Sequence, residues 1–308
     1  MLITSSVRLY MLSLLGCLMC IHPLFAQRSA TLLDHKDRIR ITPVNILNSR
    51  YRETNLSITP DGSTLYFMSL RGGQPWSNLY MSYKGDSVFD GDIWYAEKKA
   101  GKWQRPRCLP AGINTSQGED EPQVSPDGST VYFQSWNGAY RYTGGPYYSA
   151  QRRGASWSRP VGLGGGIHEF FKIIPATDGM SVSADGKRFI VAAGPDYEAN
   201  MDIYMSRKTA YGWSFCKKLA ISTPGDERSV FLAADGRTLY FASNGYKGMG
   251  GLDIFKTTLN SDGTFGEVIN VGAPFNTKGD DYGLILTADG QEAYFVRDGN
   301  IYFADLKD

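Results

Sequence analysis

Five copies of one short motif constrain this chain more than any other feature. Ser57-Ile58-Thr59-Pro60-Asp61-Gly62-Ser63-Thr64-Leu65-Tyr66-Phe67 aligns without gaps with segments around Asp127-Gly128, Asp185-Gly186, Asp235-Gly236 and Asp289-Gly290. Each copy reads as a strand, a tight turn and a second strand. The turn residues have separate roles: Pro fixes φ, Asp bonds its own backbone, and Gly tolerates positive φ. Triplets after the turn, such as Val131-Tyr132-Phe133 and Leu239-Tyr240-Phe241, are continuously apolar, as in a strand covered on both faces. A third strand recurs at Asp92-Ile93-Trp94, Asp202-Ile203-Tyr204, Asp253-Ile254-Phe255 and Asn300-Ile301-Tyr302, with Tyr147-Tyr148 as the less regular copy. A fourth advances in steps of three: Trp103-Pro106-Leu109, Trp157-Pro160-Leu163, Trp213-Cys216-Leu219 and Phe265-Val268-Val271. Proline is tolerated mainly on edge strands, so the fourth element lies outermost.

Four antiparallel strands per repeat make a propeller blade. The turn aspartates at 61, 127, 185, 235 and 289 lie 57 residues apart on average, and the remainders at the two ends together supply 53 more. The chain stops after a third strand and begins with an orphan fourth, Arg40-Pro43-Ile46. The prediction is an all-β fold, a five-bladed β-propeller of four-stranded antiparallel blades with the last blade closed by the N-terminal strand. Closure removes exposed sheet edges. An open solenoid would need capping units and would not split a repeat between its ends.

Residues 1–26 read as a secretory signal. Arg8 precedes an apolar run, and Ala26 precedes the polar start at Gln27. The competing reading is a lipoprotein signal cut before Cys17, after Leu14-Leu15-Gly16. It fits less well, because the segment beyond Cys17 stays apolar. Residues 27–308 are expected to form a single propeller domain, exported to the periplasm or associated with an outer membrane. No later run is long enough for a transmembrane helix.

Removing 26 of 308 residues leaves 282, with 31 basic and 31 acidic side chains, because Arg8 is the signal's only charge. That balance argues against nucleic acid as a partner. Only His35 and His168 remain as histidines, which argues against a His-rich zinc site; no metal site and no cofactor are assigned. Cys108 and Cys216 fall on outer strands two blades apart and are expected as buried thiols, not a disulfide.

The unit S-P-D-G-x-x-x-Y-F, with D-I-Y/W downstream, resembles the PD40, or WD40-like, β-propeller repeat over about residues 40–306. That family includes the periplasmic propeller of TolB and propellers fused to OmpA-like peptidoglycan-binding domains. The resemblance implies an exported, non-catalytic module that binds an envelope protein or scaffolds an assembly in a gram-negative envelope, with a monomer as the expected state. The additional N- or C-terminal domains of those relatives are not expected here. The motif is also similar to the Asp-box of sialidases, but Gly directly follows Asp, and an Asp-box is itself a peripheral turn.

Antiparallel order puts the loops between second and third strands on one face with the links between blades. All the long loops fall there, and long loops on a rigid scaffold are where function tends to sit. Trp76 and Tyr80 in 70–91, and Trp136 and Tyr140 in 136–146, are the aromatic binding candidates. Trp103, Trp157 and Trp213 belong to the repeat and read as structural.

Eight residues before each turn aspartate stand Glu53, Glu119, Thr177, Glu227 and Asp281, with Asp178 replacing Thr177 one place along. Asp120 and Glu121 reinforce the second copy. These acids are expected at the mouth of the central channel. There they would bind a partner, a cation or a polyhydroxylated ligand. The structural alternative, preferred for the individual acids, is that each accepts backbone N–H bonds at a blade junction. Asp86, Asp90 and Asp92 lack the spacing of an EF-hand and read as solvated loop acids. The rival function is a glycosidase or glycan-binding protein using the channel-mouth carboxylates, although a symmetric ring of acids suits catalysis poorly. A serine peptidase fails for want of G-x-S-x-G and of length for a hydrolase domain.

Overall fold

A computed structural model describes residues 27–33, 39–75, 77–81, 87–136, 143–198 and 200–307. The predicted architecture is present. Five antiparallel sheets form a ring, a five-bladed β-propeller whose innermost strands are Glu53–Ile58, Glu119–Val124, Ala176–Val182, Glu227–Leu232 and Asp281–Leu286. The signal segment, Cys17, Trp76, Asp86 and Tyr140 lie outside the described residues. Tyr80 is described in backbone only, pairing with Val88 in a small hairpin of Leu79–Met81 and Ser87–Phe89.

The motif turns form as the sequence requires. Asp61 accepts the Ser63 N–H at 3.0 Å while Gly62 takes φ +67°. Asp127, Asp185, Asp235 and Asp289 repeat the bond two residues on, each followed by a glycine at φ between +64° and +71°. Those hydrogen bonds favour the ionised form and hold all five carboxyls below their ordinary range, Asp127 at about 2.

Closure is as predicted. Ile41–Pro43 pairs antiparallel with Asn300–Asp305, in register Ile41↔Ala304 and Pro43↔Tyr302. The Asn48 side chain then brackets Ile301, accepting its N–H at 2.7 Å and donating to its carbonyl at 3.1 Å. A second N-terminal element was not anticipated. Thr31–Leu32 adds a parallel strand outside the fourth blade (Thr31↔Ile269), and the Arg28 guanidinium donates to the Ala220 carbonyl at 3.0 Å.

The outer strand is less regular than the spacing suggested. In the first three blades it breaks into two-residue pieces, Lys102–Trp103 and Arg107–Cys108 in the first. Pro106 and Pro160 sit in the gaps of blades one and two, where a missing N–H does no harm. The link from blade two to blade three holds an unpredicted helix α1, Gly165–Phe171, which buries Ile167, Phe170 and Phe171 against Tyr147 and Phe189. Cys216 is buried but Cys108 only half so. Both are free, and burial pushes both thiols up to about 12.

Candidate functional site

The repeated acids do not line a channel mouth. Glu53, Glu119, Glu227 and Asp281 are fully buried. Each binds the Ser or Thr four residues earlier. Glu227 accepts the Thr223 N–H at 2.8 Å and its hydroxyl at 2.6 Å, and Ser243 adds a third bond at 2.9 Å. Glu119 does the same with Thr115 and Ser135, and Glu53 with Ser49 and Ser69. In the fifth blade Arg297 takes the serine's place beside Asp281, which keeps Thr277. The expectation of a ring at the channel mouth is therefore corrected: these carboxylates fasten each incoming link to its own blade. The asparagine preceding Thr115 and Thr277 completes the clamp by bracketing Ile93 and Ile254. Blade three has Thr177 for the acid, Ile173 for the hydroxyl residue and Ala193 for the serine, so the whole clamp is absent where α1 enters.

Directly after the acid, every innermost strand carries a bulge. Its register shifts between Thr54 and Ser57, Asp120 and Gln123, Thr177 and Met180, Arg228 and Phe231, and Tyr282 and Ile285. The residue inside each bulge has positive φ: Asn55, Glu121, Gly179, Ser229 and Gly283. Bulges re-aim side chains. Here they turn the preceding residues Thr54, Asp120, Asp178, Arg228 and Tyr282 away from the blade junctions and towards the axis, onto the wall of a central cavity of about 1360 Å³. Below the bulges the axis narrows to a void of about 20 Å³ among Leu56, Val230 and Leu284, room for about one water. The cavity's upper wall comes from the long-loop face: Trp136, Pro146, Tyr197, Leu252, and His168 and Phe171 of α1.

Four sequence candidates therefore stand at or under this cavity. Asp120 and Asp178 line it. Glu121 is buried under the floor, accepting from the Tyr147 hydroxyl at 2.5 Å and the Thr177 hydroxyl at 2.8 Å. Trp136 stands at the mouth, 38% exposed, its indole seated on Gly118 so closely that a Cβ there would lie 2.3 Å from the ring. Tyr197 stands beside it, 54% exposed. Sequence reasoning missed Thr54, Arg228, Ser229, Gln134, Tyr197 and His168. The bulge had a signal, glycine at 179 and 283 and asparagine at 55 in equivalent positions. The side chains it turns inward had none, because they are of four kinds in five blades.

Some of the charges on the wall are paired. Arg228 pairs with Asp178 at 2.8 Å and Asp226 at 3.4 Å and donates to the Tyr197 carbonyl at 2.8 Å. Asp120 takes the Asn55 amide at 2.7 Å and the Glu121 N–H at 2.6 Å. Arg52 lies over the Tyr282 ring, 5.6 Å from its centre. The His168 Nδ1–H donates to the Gly145 carbonyl at 2.6 Å, which fixes its ring. Asp90 and Asp92, expected as solvated, are instead buried. They accept the N–H groups of Asn78 and Gly73, anchoring the long first-blade loop. Among the described residues no group of three or more His, Cys, Asp or Glu could hold a metal ion.

Burial pushes Glu119 and Glu227 up to about 7 and Asp90 to about 6, and raises Glu121 above the usual range, with the Asp120 charge assisting. Acids raised by folding bind protons more tightly in the native state, so their stabilisation is full below about pH 4 and is lost as pH rises through 6–8. The turn aspartates act oppositely, stabilising above about pH 4 and failing towards pH 2. Stability should therefore peak between about pH 4 and 6, with Tm falling by several degrees between pH 5.5 and 8.5 in calorimetry. A Tm rising across that interval would contradict the assignment.

No family model matches the chain, and no curated protein does. Among solved structures, it resembles a β-1,2-mannobiose phosphorylase from Listeria innocua at TM-score 0.54, with 11% identity over 88% of this chain and 97% of that one. A protein from Parabacteroides distasonis described as a glycoside hydrolase gives TM-score 0.51 and 13% identity over 94% and 95%. A TolB-type protein from Agrobacterium tumefaciens gives 0.47 and 15% over 83% and 76%. At these identities the likeness concerns the fold alone. The class is that of β-propellers, which host unrelated functions.

Proposed function

We propose that this chain is an exported, non-catalytic binding module of a gram-negative envelope. It would engage an envelope protein or glycan through the cavity and the long-loop face around it. One observation carries the reading: all five innermost strands share a bulge and four share a clamp, yet the side chains they present to the cavity, Thr54, Asp120, Asp178, Arg228 and Tyr282, are of four kinds. Structure accounts for what repeats. A recognition surface accounts for what does not. Export rests on the signal-like residues 1–26, and no helix among the described residues is long and apolar enough to cross a membrane. Non-catalysis is supported by the clamp: the four acids with a channel-mouth role in prospect are committed to hydrogen bonds within their own blades.

The test has two parts. Mass spectrometry of the protein purified from its cells should give Gln27 as the N-terminus; an intact Met1 would remove the export claim. Immobilised native protein should capture an envelope component at least tenfold better than a Trp136→Ala/Tyr197→Ala variant with unchanged Tm. Equal capture would exclude this face. Glycoside hydrolysis is a second reading, favoured by the adjacent Asp120 and Glu121, both raised by burial. It predicts sugar release that Asp120→Asn abolishes.

A further inference from the structure

The face opposite the cavity mouth, where the motif turns lie, is basic over three blades and acidic over two. In blades one to three the hairpin joining third and fourth strands is tied to the motif turn of its own blade. The N–H groups of Lys98, Arg152 and Lys208 donate to the carbonyls of Ser63, Ser129 and Lys187 at 2.7, 2.7 and 2.8 Å. The hairpin tips therefore stand on the turn face, beside Asp61, Asp127 and Asp185. They share a pattern. Lys98-Lys99-Ala100-Gly101, Arg152-Arg153-Gly154-Ala155 and Arg207-Lys208-Thr209-Ala210-Tyr211 each put uncharged residues at the tip, with two consecutive basic residues directly behind it. The tryptophan of each outer strand braces one of these cations: Lys98 Nζ lies 4.9 Å from the Trp103 ring centre, the Arg152 guanidinium 5.9 Å from that of Trp157 and Lys208 Nζ 5.6 Å from that of Trp213.

With Lys102, Lys187 and Arg188, these three blades present nine basic side chains on the turn face against four acidic ones, Asp61, Glu97, Asp127 and Asp185. Glu97 is shared by Lys99 and Arg107, and Glu292 holds Lys98. Among the described residues, no carboxylate pairs with Lys102, Arg153, Lys187, Arg207 or Lys208, and all five are exposed. The outer strands of the same blades add further basic residues, Arg105, Arg159 and Lys217 among them, and no acid. Blades four and five reverse the balance: Asp235, Asp262, Asp289, Glu292 and Asp305 outnumber Arg40, Arg237 and Lys307. Residues 27–308 balance 31 basic against 31 acidic side chains, so the excess is local and not a consequence of composition.

Charge complementarity calls for an anionic partner, and the tips choose among anions. Uncharged residues ahead of the basic ones suit a layered surface, with phosphates outermost and apolar material beneath. Tyr211 is 100% exposed, an aromatic ring with a polar hydroxyl of the kind that settles at headgroup depth. A nucleic acid or an acidic protein carries its charge at the contact surface and offers Tyr211 no layer to enter. We infer that the turn face of blades one to three is a docking surface for an anionic phospholipid bilayer, the phosphates meeting the basic residues and Tyr211 entering the headgroup layer. The cavity mouth then points away from the bilayer and stays open. The inference goes beyond the binding reading and does not depend on it.

The test is co-sedimentation of the native protein with phosphatidylcholine vesicles and with vesicles holding about 30 mol% phosphatidylglycerol, at about 0.1 M and about 0.5 M salt. It should bind the anionic vesicles at least about tenfold more tightly than the neutral ones at the lower salt, and release them at the higher. Each basic side chain held at such a surface is worth about fivefold in affinity. Lys102→Gln/Arg153→Gln/Lys187→Gln/Arg207→Gln should therefore weaken binding by at least about a hundredfold, with Tm unchanged because all four side chains are exposed. Tyr211→Ser should weaken it about threefold without altering its salt dependence. Arg237→Gln/Lys307→Gln, on the acidic half, should change it by less than about threefold. Equal binding to both kinds of vesicle, binding that survives the higher salt, or native affinity in the four-site variant overturns the inference. So does retention of duplex DNA or polyglutamate at the lower salt with both kinds of vesicle ignored, which would give the patch to another polyanion.

Discussion

A chain beginning at residue 47 should lose well over 10 °C in Tm and associate with itself. That truncation removes Ile41–Pro43 from the edge of Asn300–Asp305 and takes Ile39, Ile41 and Val44 out of the core. Three aliphatic side chains, each worth ~1.5–3 kcal/mol when fully buried but only partly buried here, together with the lost ladder bonds, come to about 5 kcal/mol. At ~2–4 °C per kcal/mol for a domain of this size, the loss is roughly 10–20 °C. The exposed edge is a template for another chain, so light scattering should show concentration-dependent oligomers. A chain beginning at residue 34 loses only the outer strand Thr31–Leu32 and should fall much less. A monomer with native Tm after the longer truncation would mean that the ring does not depend on its N-terminal closure.

Glu227→Ala should be the most damaging single replacement in the clamps, at about 3–5 kcal/mol by denaturant unfolding. It strands the Thr223 N–H, the Thr223 hydroxyl and the Ser243 hydroxyl in a site with no access to solvent. Glu227→Gln keeps acceptor oxygen in the same place and should cost less than half as much. Because Thr223 and Glu227 act as one unit, Thr223→Ala combined with Glu227→Ala should be clearly less than additive. Thr177→Ala, at the equivalent position of the blade without a clamp, should cost only ~1 kcal/mol, for its bond to Glu121. Equal losses at 177 and 227 would remove the distinction between them.

The blade count, the closing strand and the crowded face were legible because each rests on something that repeats. A turn needs Asp-Gly, with Pro or Ala before it, a fully covered strand needs an apolar triplet, and an edge tolerates proline. The acids were legible as positions but were placed at the channel mouth. The bulge explains the difference: it turns the following residue, not the acid, towards the axis. Asn48, Asn114 and Asn276, recurring five residues before the acids, marked the clamp in the sequence. Helix α1 was hidden because Gly165-Gly166 opens it without a capping side chain. Asp90 and Asp92 were misjudged because a loop that folds back on its own strand buries acids that look solvated.

Hydrogen–deuterium exchange of the native protein with and without its captured envelope component examines the recognition face most directly. Added protection should fall on the innermost strands beside the cavity, around Thr54–Asn55, Asp120–Glu121 and Arg228–Ser229, and on the rim at Trp136 and Tyr197. Protection at the turns of Asp61, Asp127, Asp185, Asp235 and Asp289 on the opposite face, with the cavity strands unchanged, would contradict it.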